Sequence, residues 1–314
     1  MHWSDFFHFF GFYHCENLCS SVNLETSDLQ LIYAGFIDMQ PIEAHKPDLT
    51  LATDLTVQQK LQARQQCFYG CVFCGSPVFR YYFPPDSLSA VLICPLHAKQ
   101  LRSTLLSAST LVERMNQPFN QQRVNKPGFS FDPNRRVQVS VGMNTVYADF
   151  VPSGGEQYCI WVNGQELFTL HSESGWLCFS FILSDTTGQV LIRVEKGELQ
   201  LSPDQWEYSY EVNTLKIRDQ QRRLQFTAQL CNDRVLLTKG HFVDSFGDGF
   251  VVEGNRVIAM LDGQKGGQYM HRIEPGRYKG GWALFNKIRH PELVMPGNFA
   301  FVCAAKRKYP GPER

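Results

Sequence analysis

The chain has 314 residues, 43 % of them hydrophobic and 13 % aromatic, and 30 basic side chains balance 30 acidic ones to a formal net charge of zero. That length suffices for two domains that each bury a core, and the composition excludes a disordered chain. Balanced charge excludes a global pull toward nucleic acid or an acidic membrane, and no apolar run approaches the roughly 20 residues that span a bilayer.

In chain order, residues 1–50 open on an aromatic cluster, Phe6-Phe7-His8-Phe9-Phe10, suited to burial or to docking on a partner. The start lacks the basic residues and smooth apolar stretch of a secretory signal. Residues 56–67 predict a helix: Thr56 caps it, and Val57, Leu61 and Arg64 recur at helical spacing. It leads into Cys71-Val72-Phe73-Cys74-Gly75 and, after nineteen intervening residues, Cys94-Pro95-Leu96-His97. A second helix is predicted over 98–116, a stretch without Gly or Pro.

Three thiolates and one imidazole in two short half-sites are the ligand set of a closed tetrahedral Zn²⁺ site, so Cys71, Cys74, Cys94 and His97 are the expected metal ligands. Gly75 permits the close turn behind the first pair. Cys67 is either an alternative ligand or a helix-end residue facing the site. Cys15 and Cys19, beside His14, read as buried thiols. The ten cysteines lack the dense pairing of a disulfide scaffold and suit a reducing, cytoplasmic setting.

Residues 118–135 read as a linker, rich in Asn, Pro and Gly. From 136 to 303 the pattern turns strand-like, as in Val137-Gln138-Val139-Ser140-Val141 and Leu177-Cys178-Phe179-Ser180-Phe181. Turn signals such as Asn163-Gly164 and Glu253-Gly254-Asn255 separate the runs. The expectation is an α+β chain: a small zinc-bound ββα-like module over 1–117, then a β-rich sandwich, barrel or solenoid-like domain over 136–303, then a basic tail at 304–314.

The segment Leu61–Gly75, with its Cys-x-x-Cys-Gly, and the segment Val91–Lys99, with its Cys-Pro-x-His, resemble zinc-framed members of the HNH endonuclease superfamily over about a fifth of the chain. The resemblance implies a bacterial or phage origin, and a hairpin His acting as general base beside further residues that hold a divalent cation. The corresponding hairpin here is Arg80-Tyr81-Tyr82-Phe83-Pro84-Pro85-Asp86, without His, and Ala98 follows His97. The resemblance therefore implies the scaffold of a degenerate module with no catalytic residues. An active nuclease using substitutes such as Asp86, His8 or His14 is the alternative.

Two stretches bear on nucleic-acid binding. Arg80 with Tyr81 sets a cation beside a stacking surface. Between 265 and 290, Lys265, Arg272, Arg277, Lys279, Lys287 and Arg289 oppose a single acidic residue, Glu274. Asp244-Ser245-Phe246-Gly247-Asp248-Gly249 reads as a plain turn, because it departs from calcium-loop spacing. His241 and His271 read as structural. The expected function is a non-catalytic binding or assembly protein, its metal module docking a protein complex or nucleic acid, without a membrane; the sequence leaves oligomeric state open.

Overall fold

The computed structural model describes residues 49–122, 136–150, 154–231, 234–269 and 280–305. The aromatic cluster near the N-terminus, Cys15, Cys19, residues 123–135 of the expected linker, Arg272, Arg277, Lys279 and tail residues 306–314 lie outside the described residues.

The described chain begins with a small antiparallel sheet of β1 (Thr50–Leu51), β2 (Arg80–Phe83) and β3 (Val91–Ile93). Helix α1 (Val57–Gln66) precedes β2. Thr56 Oγ1 accepts from the Gln59 N–H at 3.2 Å, and the Gln59 side chain accepts from the Thr56 N–H at 2.9 Å. This capping box starts the helix where the sequence places it.

The predicted 98–116 helix is two: α2 (Pro95–Arg102) and α3 (Ala108–Asn116). Thr104 adopts φ 61°, and Ser107 Oγ accepts from the Thr110 N–H at 3.1 Å, so a fresh N-cap interrupts the run. Serine and threonine offer the backbone such local alternatives even where no Gly or Pro breaks the pattern.

Strands dominate the rest. β4 (Val137–Val141) and β5 (Asn144–Ala148) form a hairpin. β6 (Gly155–Val162), β7 (Gln165–Glu173), β8 (Trp176–Ser184), β9 (Val190–Glu195) and β10 (Glu198–Leu201) follow as an antiparallel meander. A second meander runs through β11 (Glu207–Glu211), β12 (Thr214–Arg218), β13 (Leu224–Cys231), β14 (Arg234–Val243), β15 (Gly249–Glu253), β16 (Arg256–Leu261) and β17 (Gln264–Tyr269). β18 (Gly280–Asn286) then lies parallel to β6, and β19 (Phe299–Ala305) parallel to β18. The first sheet thus has seven strands; the second has nine, with β4 parallel to the first half of β14.

The two large sheets pack face to face. Phe181 of β8 stacks on Phe226 of β13 with centroids 4.6 Å apart, and Phe168 of β7 meets Phe242 of β14 at 5.9 Å. Inward residues of both sheets make one continuous buried core. The period-2 alternation of β13 explains its place: one face enters this core and the other stays half-exposed.

The α+β expectation is overturned. About 49 % of the described residues are strand and 12 % helix, in three short helices. A separate ββα-like module is not found among them. The β2–β3 hairpin is instead tied to the seven-stranded sheet by one isolated bridge of Phe79, the residue before β2: the Phe79 N–H donates to Gly197 O at 3.0 Å, and the Leu199 N–H to Phe79 O at 2.8 Å. The physical reason is backbone pairing, because this bridge satisfies part of the β10 edge. Among the described residues no helix is long and apolar enough to cross a membrane.

Candidate metal centre

Helix α1 ends at Cys67, whose N–H still donates to Ala63 O. Phe68 and Tyr69 then take left-handed conformations, φ 53° and 57°, and reverse the chain. Tyr69 stacks on Trp176 of β8 with centroids 5.5 Å apart, so aromatic packing holds a conformation that L-residues rarely adopt. The reversed chain delivers Cys71. The Gly75 N–H closes the turn onto Cys71 O at 2.7 Å, and the Cys71 N–H donates to Ser76 O.

From the other side, β3 leads into Cys94, the N-cap of α2, and Pro95 starts that helix. His97 therefore sits in the first helical turn, facing back toward Cys94. The Val72 N–H donates to Leu92 O at 3.0 Å, stitching the two half-sites together.

The ligand atoms of Cys71, Cys74, Cys94 and His97 all lie within 4.8 Å of one another, close enough to bind one metal ion. Cys71 Sγ is 3.8 Å from His97 Nδ1, Cys74 Sγ is 3.8 Å from Cys94 Sγ, and Cys94 Sγ is 3.1 Å from His97 Nδ1. Cys71 and Cys94 are buried, while Cys74 and His97 are half-buried. Phe73 stacks on the His97 ring at 5.0 Å.

The donor set fits a cation. Burial opposes ionisation of Cys71, yet hydrogen bonds from Cys74, Cys94 and His97 hold its thiol well below the usual range. Cys74 and Cys94 are pushed far up, each chiefly by its hydrogen bond with Cys71. One thiolate thus suppresses the next, and a positive ion among the three sulfurs would offset that repulsion. No protein-family model, curated protein or solved structure matches this chain.

Cys67 is not among the four clustered ligands. It is buried, accepts the Leu92 N–H at 3.4 Å, and burial pushes its thiol up to about 12. Asn120, at the start of the expected linker, was not singled out by sequence. Its Nδ2 donates to Phe68 O at 2.9 Å, and the neighbouring Phe119 N–H donates to Val72 O. Sequence spacing carries no signal for this support, because forty-five residues part Asn120 from Gly75.

Of the expected nucleic-acid residues, those described lie on β2 (Arg80, Tyr81), on β17 (Lys265) and just after β18 (Lys287, Arg289). Arg80 is half-buried on β2. Tyr81 is 1 % exposed and its hydroxyl accepts from Arg64 Nη1 at 2.9 Å, so it presents no stacking face. Lys265 and Lys287 are exposed, the latter 5.1 Å over the Phe285 ring. Arg289 is ion-paired with Asp248 and Asp262, which offsets its charge. Asp86 is exposed.

The 244–249 turn is a hydrogen-bonded hub. Asp244 accepts the N–H groups of Phe246 and Asp248. Asp248, fully buried, accepts from Asn163 Nδ2, Asn286 Nδ2 and the Asp262 N–H. These bonds tie strand ends of the two large sheets together. A second polar chain crosses the first sheet: Glu156, His171 and Ser180, at 3.2 and 2.8 Å. Ser180 Oγ also accepts the Lys196 N–H at 3.0 Å, so this chain fastens the β9–β10 turn onto β8.

Proposed function

We propose that this chain is a non-catalytic binding protein in which Cys71, Cys74, Cys94 and His97 hold a structural Zn²⁺, fixing the small sheet and α2 as a docking platform. The carrying observation is the closed ligand set. Zinc–sulfur bonds of about 2.3 Å give tetrahedral edges of about 3.8 Å. The Cys74–Cys94 separation is 3.8 Å, and His97 Nδ1 lies 3.8 Å from Cys71 Sγ and 3.1 Å from Cys94 Sγ. Four protein donors fill a tetrahedron, whereas a catalytic zinc keeps one position for water or substrate. The β2–β3 hairpin carries tyrosines where the HNH resemblance asks for an imidazole, and a tyrosine near pKa 10 is a poor base at neutral pH. The platform would dock a protein complex or nucleic acid.

Metal analysis with a plasmid assay tests the reading. One zinc per chain is expected, lost in a Cys94→Ser variant, with plasmid left intact in Mg²⁺, Mn²⁺ or Ni²⁺. Cleavage that disappears in Asp86→Ala would replace it with the nuclease reading.

A further inference from the structure

A groove of about 830 Å³ runs between α2 and the chain from β10 to β12. Its volume falls in the range of about 300–1,000 Å³ typical of small-ligand sites. Four cations line it: Arg80 from β2, Lys99 and Arg102 from α2, and Arg218 from β12. None of the four has an ion-pair partner within 4.0 Å among the described residues, although eight other Arg or Lys pairs with carboxylates occur there. Two carboxylates also line the groove, Asp204 and Glu207, and Glu207 is engaged by Arg222 at 3.7 Å. Four positive charges against two negative ones leave a net positive site.

The walls between the cations are aromatic. Arg102 lies 5.7 Å over the Tyr82 ring, and half-buried Trp206 lines the same groove. Tyr208 is buried, which pushes its hydroxyl up to about 12 against the opposing effects of its Ser202 hydrogen bond and the Arg80 charge. Arg80 and Tyr208 line the same groove. Lys99 and Arg102, three residues apart, project from one face of α2. Arg218 answers from the opposite wall, its Nη1 3.5 Å from Ser209 Oγ.

We propose that this groove binds a nucleotide unit, its phosphate held between Arg102 and Arg218 and its base against Trp206, supplied either as a free nucleotide or within a single strand. Unpaired guanidinium groups suit phosphate, and an aromatic wall suits an unstacked base of any identity. A duplex keeps its bases stacked and offers the wall nothing. The inference rests on the binding-protein reading and narrows its ligand.

The test uses the full, metal-loaded chain. Fluorescence anisotropy with a labelled ten-residue oligothymidylate measures strand binding, with AMP, inorganic phosphate and polyglutamate as competitors. Tenfold or greater weakening is expected in Arg102→Ala/Arg218→Ala. The slope of log K against log salt should fall by about 1.4, at about 0.7 per cation lost for a single strand. Zinc content and melting temperature check that the variant folds; Arg102→Ala alone, at an exposed side chain, gives a second reading. Competition by AMP assigns the free nucleotide, and binding of the oligonucleotide alone assigns the strand. Equal weakening in Arg136→Ala/Arg256→Ala, two arginines outside the groove that pair with Asp149 and Glu253, equal binding of duplex, or equal competition by polyglutamate overturns the proposal. An intact zinc site without strand or AMP binding also overturns it while leaving the structural-metal reading standing, whereas Asp86-dependent plasmid cleavage removes that reading.

Discussion

Arg64 donates through Nε and Nη2 to both carboxylate oxygens of Glu173, at 2.8 and 3.0 Å. The Arg64 side chain is 8 % exposed and that of Glu173 26 %. This fork joins the helix before the metal cluster to the end of β7, and Arg64 also donates to the Tyr81 hydroxyl. The cluster and the seven-stranded sheet are therefore held by a charged pair as well as by backbone bonds.

Removing one partner leaves the other charged and poorly solvated. Arg64→Met is expected to cost about 3 kcal/mol, read as a shift in the urea midpoint. Arg64→Met/Glu173→Leu should recover much of that loss, because no buried charge remains. A double variant as weak as the sum of both single variants would show that the pair does not couple.

Gly75→Ala meets two obstacles. The backbone sits at φ 70°, and an added Cβ would run into the Asn120 side chain. Together these should cost about 2–3 kcal/mol and weaken metal retention. Asn120→Ala in the same chain relieves the collision but not the left-handed backbone, so thermal melting should show a less-than-additive loss.

On the proposed zinc reading, stability follows metal supply. Free zinc at a thousandfold its Kd adds about 4 kcal/mol when it binds only the folded state. Chelation should lower the melting temperature of the native chain and leave Cys74→Ser almost unmoved. Identical shifts in the two proteins would dissociate the cluster from stability.

Two histidines set a pH dependence. Burial lowers the pKa of His171, with Lys196 acting in the same direction and Glu156 and Glu195 opposing. Burial likewise lowers that of His241, against its hydrogen bond to Ser184 O and the charges of Asp185 and Glu253. Each folded pKa lies below the ordinary 6.5, so the unfolded chain takes up protons first as pH falls. Their stabilisation is complete above pH 6.5 and is lost on acidification below it. Urea midpoints should drop between pH 7.5 and 5.5, and less so in His171→Gln. A wild-type midpoint flat across that range would contradict the assignment.

Asp248 is the most exacting of the buried carboxylates. Asp248→Ala strands the Asn286 Nδ2 and the Asp262 N–H, while Asn163 keeps its bond to Asp244, and an expected loss of about 3 kcal/mol should appear in denaturant unfolding. Asp248→Asn keeps part of the network and should cost less.

The metal half-sites were legible because ligand chemistry is local: Cys71 with Cys74, and Cys94 with His97, each need only one turn of chain. Thr56 likewise marked a helix start, and Asn163-Gly164 marked a turn, found at φ 47° and 93°. The class of the fold was misjudged because short helices of strong local signal outweighed strands whose partners are distant. Alternation shows that β13 buries one face, but nothing in it names Phe181, forty-five residues earlier, as the ring that Phe226 stacks on. Tertiary structure alone decided that Tyr81 is interior, that Arg289 is neutralised by Asp248 and Asp262, and that Arg102 and Arg218 face one groove. A side chain's charge and shape are written in its residue; whether that charge is free is set by neighbours that chain folding brings from far away.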